Sequence, residues 1–227
     1  MKVLIACEES QEECKAFREL GHEAYSCDIQ EPSGGHPEWH IHQDVLSLID
    51  GDCTFATMDG VEHHIFGHWD LLIAHPPCTY LCSSGQKHCN VTIYGVKAIK
   101  RQADRESAVD FFMRFVNAKC ERIAIENPVG IMTSRYRKAD QYIQPMQFGH
   151  GVSKKTGLWL KGLPKLLPTN VVPQEVHISG TGRKWDKWFW ETSCIGDYSE
   201  RSKVRSKTFP GIAMAMAAQW GGVNNAL

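Results

Sequence analysis

The sequence predicts an α/β fold, a mostly parallel sheet with helices on both faces. Three observations lead there. Short, continuous apolar runs at 3–6, 71–74 and 123–125 have the length and composition of buried strands; amphipathic helical patterns separate them; and several runs end in a polar or reactive residue followed by turn chemistry. Strands alternating with helices imply right-handed parallel crossovers, and in such sheets ligands lie beyond the carboxyl ends of the strands.

The first element is Val3-Leu4-Ile5-Ala6, a strand. Ser10 then offers an N-cap for a helix through Cys14, Phe17 and Leu20 that stops at Gly21. Ala24 to Cys27 leads to Asp28, and His40 to Gln43 leads to Asp44, giving two further strands that end in a carboxylate. Trp69 to Ala74 is the strongest strand signal, and it stops at His75-Pro76-Pro77-Cys78 because proline cannot continue a ladder. A helix is expected from about Lys97 to Ala118, with Ile99, Ala103, Val109, Phe112, Phe115 and Val116 near one face. Arg122 to Ile125 follows as a strand ending in Glu126-Asn127-Pro128.

After Gly130 the prolines at 145, 164, 168 and 173 predict irregular structure, and Pro210 opens a closing helix over 210–217. The expected organisation is a catalytic core over 1–130, an irregular segment over 131–204 that could contact the target, and a C-terminal helix within 205–227 that returns to the core.

Composition narrows the function classes. The chain has 227 residues, 42% hydrophobic and 22% charged, with no apolar run near the ~20 residues that span a bilayer. The apolar start stops at Cys7-Glu8-Glu9, short of a secretory core. Nine cysteines is an odd count on a long chain, expected as free thiols in a reducing, cytoplasmic setting. With a net charge of −1, polyanion binding would need a local patch. The candidates are 135–138, 183–187 and 201–207, and Trp185, Trp188 and Trp190 interleave with Arg183, Lys184 and Lys187. Such an interleaving stacks bases and binds phosphates, or else docks the segment on the core.

Pro76-Pro77-Cys78 followed, one helix later, by Glu126-Asn127 at a strand end resembles the cytosine carbon-5 methyltransferases, particularly compact versions found in bacteriophages. The resemblance spans roughly residues 1–130, and the segment from Arg205 to Gly221 corresponds to the family's last helix. It implies a Rossmann-like S-adenosylmethionine-dependent methyltransferase fold, S-adenosylmethionine as cofactor, and DNA as partner, in the host cytoplasm if the chain is phage-encoded. Cys78, Glu126 and Asn127 would be catalytic. Ser10, Asp28, Asp44 and Pro76 would bind the cofactor, Asp28 at the ribose and Asp44 at the adenine. Arg183, Lys184 and Lys187 would bind the substrate.

The sequence departs from the family in three places. The first turn, Cys7 to Glu12, lacks the glycines of the family's cofactor loop; the Gln-x-Arg-x-Arg signature is not evident near Gln144 to Gly149; and a long recognition domain is missing.

The chemistry explains the residue types. Carbon-5 of cytosine becomes nucleophilic only after a thiolate adds at carbon-6, so an activated cysteine is required, with His75 and Lys87 as neighbours that could assist Cys78. Glu126 would bond the ring nitrogen and amino group, with burial raising its pKa so that it can donate. Two other classes stay open: an enzyme acting on a free pyrimidine nucleotide of the deoxycytidylate type, and a catalytically silent nucleotide or nucleic-acid binder. A zinc site on Cys78, Cys82, His88 and Cys89 lacks the usual knuckle spacing, so no metal is expected, and the groups His36, His40, His42 and His63, His64, His68 read as loop histidines.

Overall fold

A computed structural model describes residues 1–222. In chain order its elements are β1 (Lys2–Ala6), α1 (Glu12–Glu19), β2 (Glu23–Asp28), β3 (His40–His42), β4 (Cys53–Ala56), β5 (Glu62–Ile65), β6 (Leu71–Ala74), α2 (Val91–Tyr94), α3 (Val96–Val116) and β7 (Ile123–Pro128). Then come α4 (Met132–Arg135), β8 (Gln141–Ile143), β9 (Thr156–Lys161), β10 (Val176–Ile178), β11 (Lys184–Asp186), α5 (Lys187–Ser193), α6 (Tyr198–Ser206) and α7 (Pro210–Trp220). The end of the expected C-terminal segment, 223–227, lies outside the described residues.

The fold is a mostly parallel, Rossmann-like α/β sheet of seven strands in the order β3-β2-β1-β6-β7-β9-β8. The strands from β3 to β7 pair in parallel, and β9 runs antiparallel to both β7 and β8. Side chains alternate across the sheet and bury both faces. Leu4, Leu72, Ile123 and Ile125 pack with Phe112 and Phe115 of α3 on one side. Val3, Ile5, Leu71, Ile73 and Ala124 pack with Phe17 of α1 and Ile212, Met216 and Trp220 of α7 on the other.

Four expectations need correction. The segment 131–204 is not irregular throughout: β8 and β9 complete the main sheet, so the core does not stop at residue 130. The apolar run Leu158-Trp159-Leu160 is the strand, obscured in sequence by Gly157 and Gly162 on either side. Ser10 does not cap α1; Gln11 holds that position in a left-handed conformation (φ 60°), and the carboxylate of Glu8 accepts the backbone N–H of Glu13 at 2.7 Å. His63 and His64 lie on β5, whose hairpin with β4 inserts Phe55 and Ile65 beside Tyr25 and Trp69. The basic cluster 201–207 also crosses the expected boundary at 205, since α6 runs on to Ser206.

Candidate active site

Register builds the site. Cys27, Ala6, Ala74 and Ile125 stand side by side on β2, β1, β6 and β7. The next residue on each strand therefore forms a row at the carboxyl edge: Asp28, Cys7, His75 and Glu126. Strand order reverses between β1 and β6, so the row straddles the switch point where α/β sheets bind ligands. A cavity of about 360 Å³ opens there, lined by that row together with Glu8, Glu9, Ser10, Pro76, Cys78 and Asn127.

Beyond β6, the double proline forces the chain off the sheet and presents Cys78 at the surface. Asn127, buried to 1% exposure, donates from Nδ2 to the Pro76 carbonyl at 2.7 Å, while its Oδ1 has no partner. On the far side, Arg101 donates to the Thr79 carbonyl at 2.9 Å, and the Cys78 carbonyl accepts from the backbone of Leu81 and Cys82. The turn that carries the thiol is thus held on both flanks.

His75 lies between two acids. Its Nδ1 donates to Glu126 Oε2 at 3.0 Å, and its Nε2 lies 3.0 Å from Oε1 of Glu13, a fully buried residue of α1. Burial opposes a charged imidazole, but the two carboxylates outweigh it and keep the ring protonated well above its usual range. In return, burial of Glu13 is outweighed by His75, and its pKa falls to about 2. Glu8 beside it is pushed well up, by burial and then by the charge of Glu13.

Glu126 departs from expectation. Burial alone would raise it, but His75, through its hydrogen bond and its charge, and then Lys154, bring it below the ordinary carboxylate range. Cys78, exposed at its turn but crowded by the cavity walls, is raised, first by partial desolvation of the thiol and then by Cys82 and Glu126. Neither sequence neighbour activates it: His75 is engaged by two acids, and Lys87 is exposed and outside the cavity lining. The cation that favours both Glu126 and the thiolate form of Cys78 is Lys154, half-buried before β9, whose Nζ donates to the Arg205 carbonyl at 2.8 Å.

The other predicted residues divide. Ser10 and Pro76 are buried and line the cavity. Asp28 lines it too, with Oδ1 accepting the Gln30 backbone N–H at 2.9 Å. Asp44 lies outside the lining and caps the short turn Val45–Ser47 by accepting from Leu46 N at 2.9 Å. Arg183, Lys184 and Lys187 are also outside it: Arg183 lies 4.1 Å over the Trp185 ring, and Lys187 pairs with Glu175 at 2.9 Å. The tryptophans take different parts. Trp188 packs near Phe189 and Phe209, whereas Trp185 and Trp190 are each 38% exposed. Among the described residues no group of three or more His, Cys, Asp or Glu side chains is placed to hold a metal ion.

Sequence reasoning missed Glu13 and Lys154, and it marked 201–207 only as a basic patch, whereas Ser199, Ser202, Lys203 and Ser206 of α6 line the cavity beside the first turn. Glu13 carried a signal: it sits four residues before Phe17, on the stripe that helix α1 buries.

The first turn adopts a conformation usually supplied by glycine, although it contains none. Cys7 and Gln11 both have φ 60°. Gln11 is secured by its side chain, which donates to Ser26 Oγ at 3.2 Å and the His36 carbonyl at 2.9 Å and accepts from His36 N at 3.1 Å. Gly34 makes that close approach possible, since a β-carbon there would lie 2.5 Å from the Gln11 β-carbon.

No family model matches the chain, and no curated protein matches it in sequence. Among solved structures it is similar to a candidate DNA modification methyltransferase encoded within an E. coli prophage, at 14% identity and a TM-score of 0.44, over 75% of this chain. The chain spans about half (51%) of the length of that structure.

Proposed function

We propose that this chain is an S-adenosylmethionine-dependent methyltransferase acting on carbon-5 of cytosine in DNA, with Cys78 as the covalent nucleophile. The observation that carries the proposal is the placement of Cys78 and Glu126 in one cavity, the first on a turn clamped by Asn127 and the second paired to a half-buried imidazolium.

The protonation states of the free site are one proton transfer away from the reactive ones. Cys78 holds its proton and Glu126 lacks one. Passing the Cys78 proton to Glu126 makes a thiolate and a carboxylic acid together. The thiolate then bonds to carbon-6, the ring electrons shift toward nitrogen-3, and that nitrogen takes the proton from Glu126, leaving carbon-5 nucleophilic. His75 keeps Glu126 ionised and oriented until the base arrives. Release breaks the same S–C6 bond as the carbon-5 proton leaves to solvent, and nitrogen-3 returns its proton through Glu126 to the departing thiolate.

The residues present fit the cofactor that the sequence resemblance implies. A left-handed first turn, the partly unused carboxylate of Asp28 and the buried carboxylate of Glu9 would hold a polar, charged ligand, with Ser10 and Pro76 along the wall. When bound, that cofactor supplies an electrophilic methyl group.

A second reading is favoured by one observation: among the described residues the lysine and arginine cations lining the cavity are only Lys154, Lys203, Arg205 and Lys207, few enough for a single phosphate. On that reading the substrate is a free nucleotide of the deoxycytidylate type. For DNA, the exposed Arg183, Lys184 and Lys187 would bind the backbone, and the target base would be flipped out into the cavity.

The deciding experiment follows methyl transfer from labelled S-adenosylmethionine to single- and double-stranded DNA and to deoxycytidylate across a salt series. The triple variant Arg183→Ala/Lys184→Ala/Lys187→Ala is the control. Transfer to DNA that falls steeply with salt and with the triple variant supports the DNA enzyme. Turnover of deoxycytidylate alone, insensitive to both, replaces it with the nucleotide enzyme, and no transfer to any acceptor removes both.

A further inference from the structure

Adjacent acids in the first turn have opposite situations. Glu8 is satisfied within the fold, accepting from the backbone N–H groups of Glu13 and Cys14. Glu9 is 6% exposed, yet neither of its carboxylate oxygens has a hydrogen-bond partner. Its charge partner is Lys203 of α6, whose Nζ stands 3.6 Å from Oε2, beyond hydrogen-bond reach. A carboxylate removed from water is ordinarily bonded, so an unbonded one lining a ligand-sized cavity points to a ligand donor.

Lys203 is placed to take part and to move. Its side chain is 42% exposed. It is not what holds α6 in place: Arg205 does that, donating to Thr192 Oγ1, the Phe189 carbonyl and Ser193 Oγ of α5. The Glu9–Lys203 contact can therefore open without releasing the helix. A carboxylate and an ammonium facing each other across a cavity are the complement of an α-amino-acid zwitterion, which presents one ammonium and one carboxylate. Inserting that zwitterion replaces one long ion pair with two short, charge-assisted ones and leaves the net charge of the pocket unchanged.

We propose that Glu9 and Lys203 form the subsite for the amino-acid end of the methyl donor, Glu9 accepting from its ammonium and Lys203 donating to its carboxylate. This rests on the methyl-donor reading above and gives it a chain-specific anchor in a first turn that lacks glycine. Asp28 lies along the same cavity with Oδ2 taking no hydrogen bond among the described residues, at a position suited to the ribose hydroxyls.

The test is calorimetric binding to the full chain, with S-adenosylmethionine, S-adenosylhomocysteine and 5′-methylthioadenosine as probes. The last keeps the adenosine and sulfur but lacks the amino-acid end. The wild type is expected to bind S-adenosylhomocysteine at least tenfold more tightly than 5′-methylthioadenosine. Glu9→Gln and Lys203→Met are each expected to weaken both amino-acid-bearing ligands by tenfold or more while leaving 5′-methylthioadenosine unchanged, which also reports an intact fold. Equal binding of S-adenosylhomocysteine and 5′-methylthioadenosine by the wild type overturns the assignment. So does either variant holding S-adenosylhomocysteine within twofold of the wild type, or losing all three ligands alike. If none of the three binds the wild type, the methyl-donor reading falls and takes this subsite with it, a result distinct from adenosine ligands that bind without regard to Glu9 and Lys203.

Discussion

His75 Nδ1 stands 3.0 Å from Glu126 Oε2, and the same ring reaches Glu13 on its other side, so one imidazolium joins the sheet edge to a buried position on α1. This arrangement sets a pH dependence of stability. A histidine whose folded pKa is raised contributes fully below its unfolded value near ~6.5 and loses that contribution as pH rises through the folded value. Glu13, lowered to about 2, contributes above its unfolded value near ~4.3 and loses its contribution as pH falls through the folded value. Glu8, raised, adds a loss of stability above about pH 4.3, with the same sign as His75. Wild-type stability in urea is therefore expected to fall above about pH 6.5 with a His75 slope of up to ~1.4 kcal/mol per pH unit. In His75→Asn the part of the slope that begins near pH 6.5 should vanish; midpoints measured from pH 5 to 9 give the answer, and an unchanged slope means His75 is neutral when folded.

Asn127→Ala removes the donor to the Pro76 carbonyl and should destabilise the fold by about 1–3 kcal/mol, the range for a buried group left unpaired. Adduct formation with a 5-fluorinated cytosine should slow far more than that of a surface control. Asn127→Asp, which keeps the shape but loses the N–H group, should behave like the alanine variant. If the aspartate variant reacts at the wild-type rate, the clamp has no part in placing Cys78.

Cys78 is exposed and its turn is held by contacts that do not involve the thiol, so Cys78→Ser should change stability by no more than about 0.5 kcal/mol. The variant should form no covalent adduct with 5-fluorinated cytosine by mass spectrometry. An adduct that persists would place the nucleophile elsewhere.

Lys154→Met removes the cation that lowers Cys78. Its thiolate fraction near neutral pH should drop, and alkylation of Cys78 by iodoacetamide should slow measurably. Alkylation of Cys194, the other exposed cysteine, should not change and serves as the internal reference. A Cys78 rate equal to that of the wild type would mean that Lys154 does not act on the thiol.

Gly34→Ala places a β-carbon 2.7 Å from the Ser10 carbonyl as well as against Gln11. Overpacking of this kind costs about 1–3 kcal/mol and should also disturb the left-handed first turn. Thermal unfolding gives the first effect and cofactor calorimetry the second.

Much of the architecture was legible because strands buried on both faces announce themselves as apolar runs, and β1, β6 and β7 fall where Val3, Leu71 and Ile123 predict them. β9 was hidden because its signal is only a few residues long and lies among prolines and glycines that suggest turns. Cys78 and Glu126 could be read because proline and asparagine mark the ends of their strands. Their protonation states could not, because His75, Glu13 and Lys154 come from separate stretches of chain and meet only when the sheet is assembled. Of the three basic patches, 183–187 drew the eye through its tryptophans, yet 201–207 faces the cavity, a choice made by how Arg205 docks α6 on α5.

The cavity wall has a consequence for how the protein comes into being. Its lining begins at Cys7, in the first strand turn, and ends at Thr208, just before a helix that packs on α1. A chain emerging from the ribosome thus carries its thiol and its acids long before it owns a pocket. Activity toward a pyrimidine ring should appear late and all at once, when α6 and α7 have left the exit tunnel, and stalled fragments ending before residue 198 should form no adduct with it.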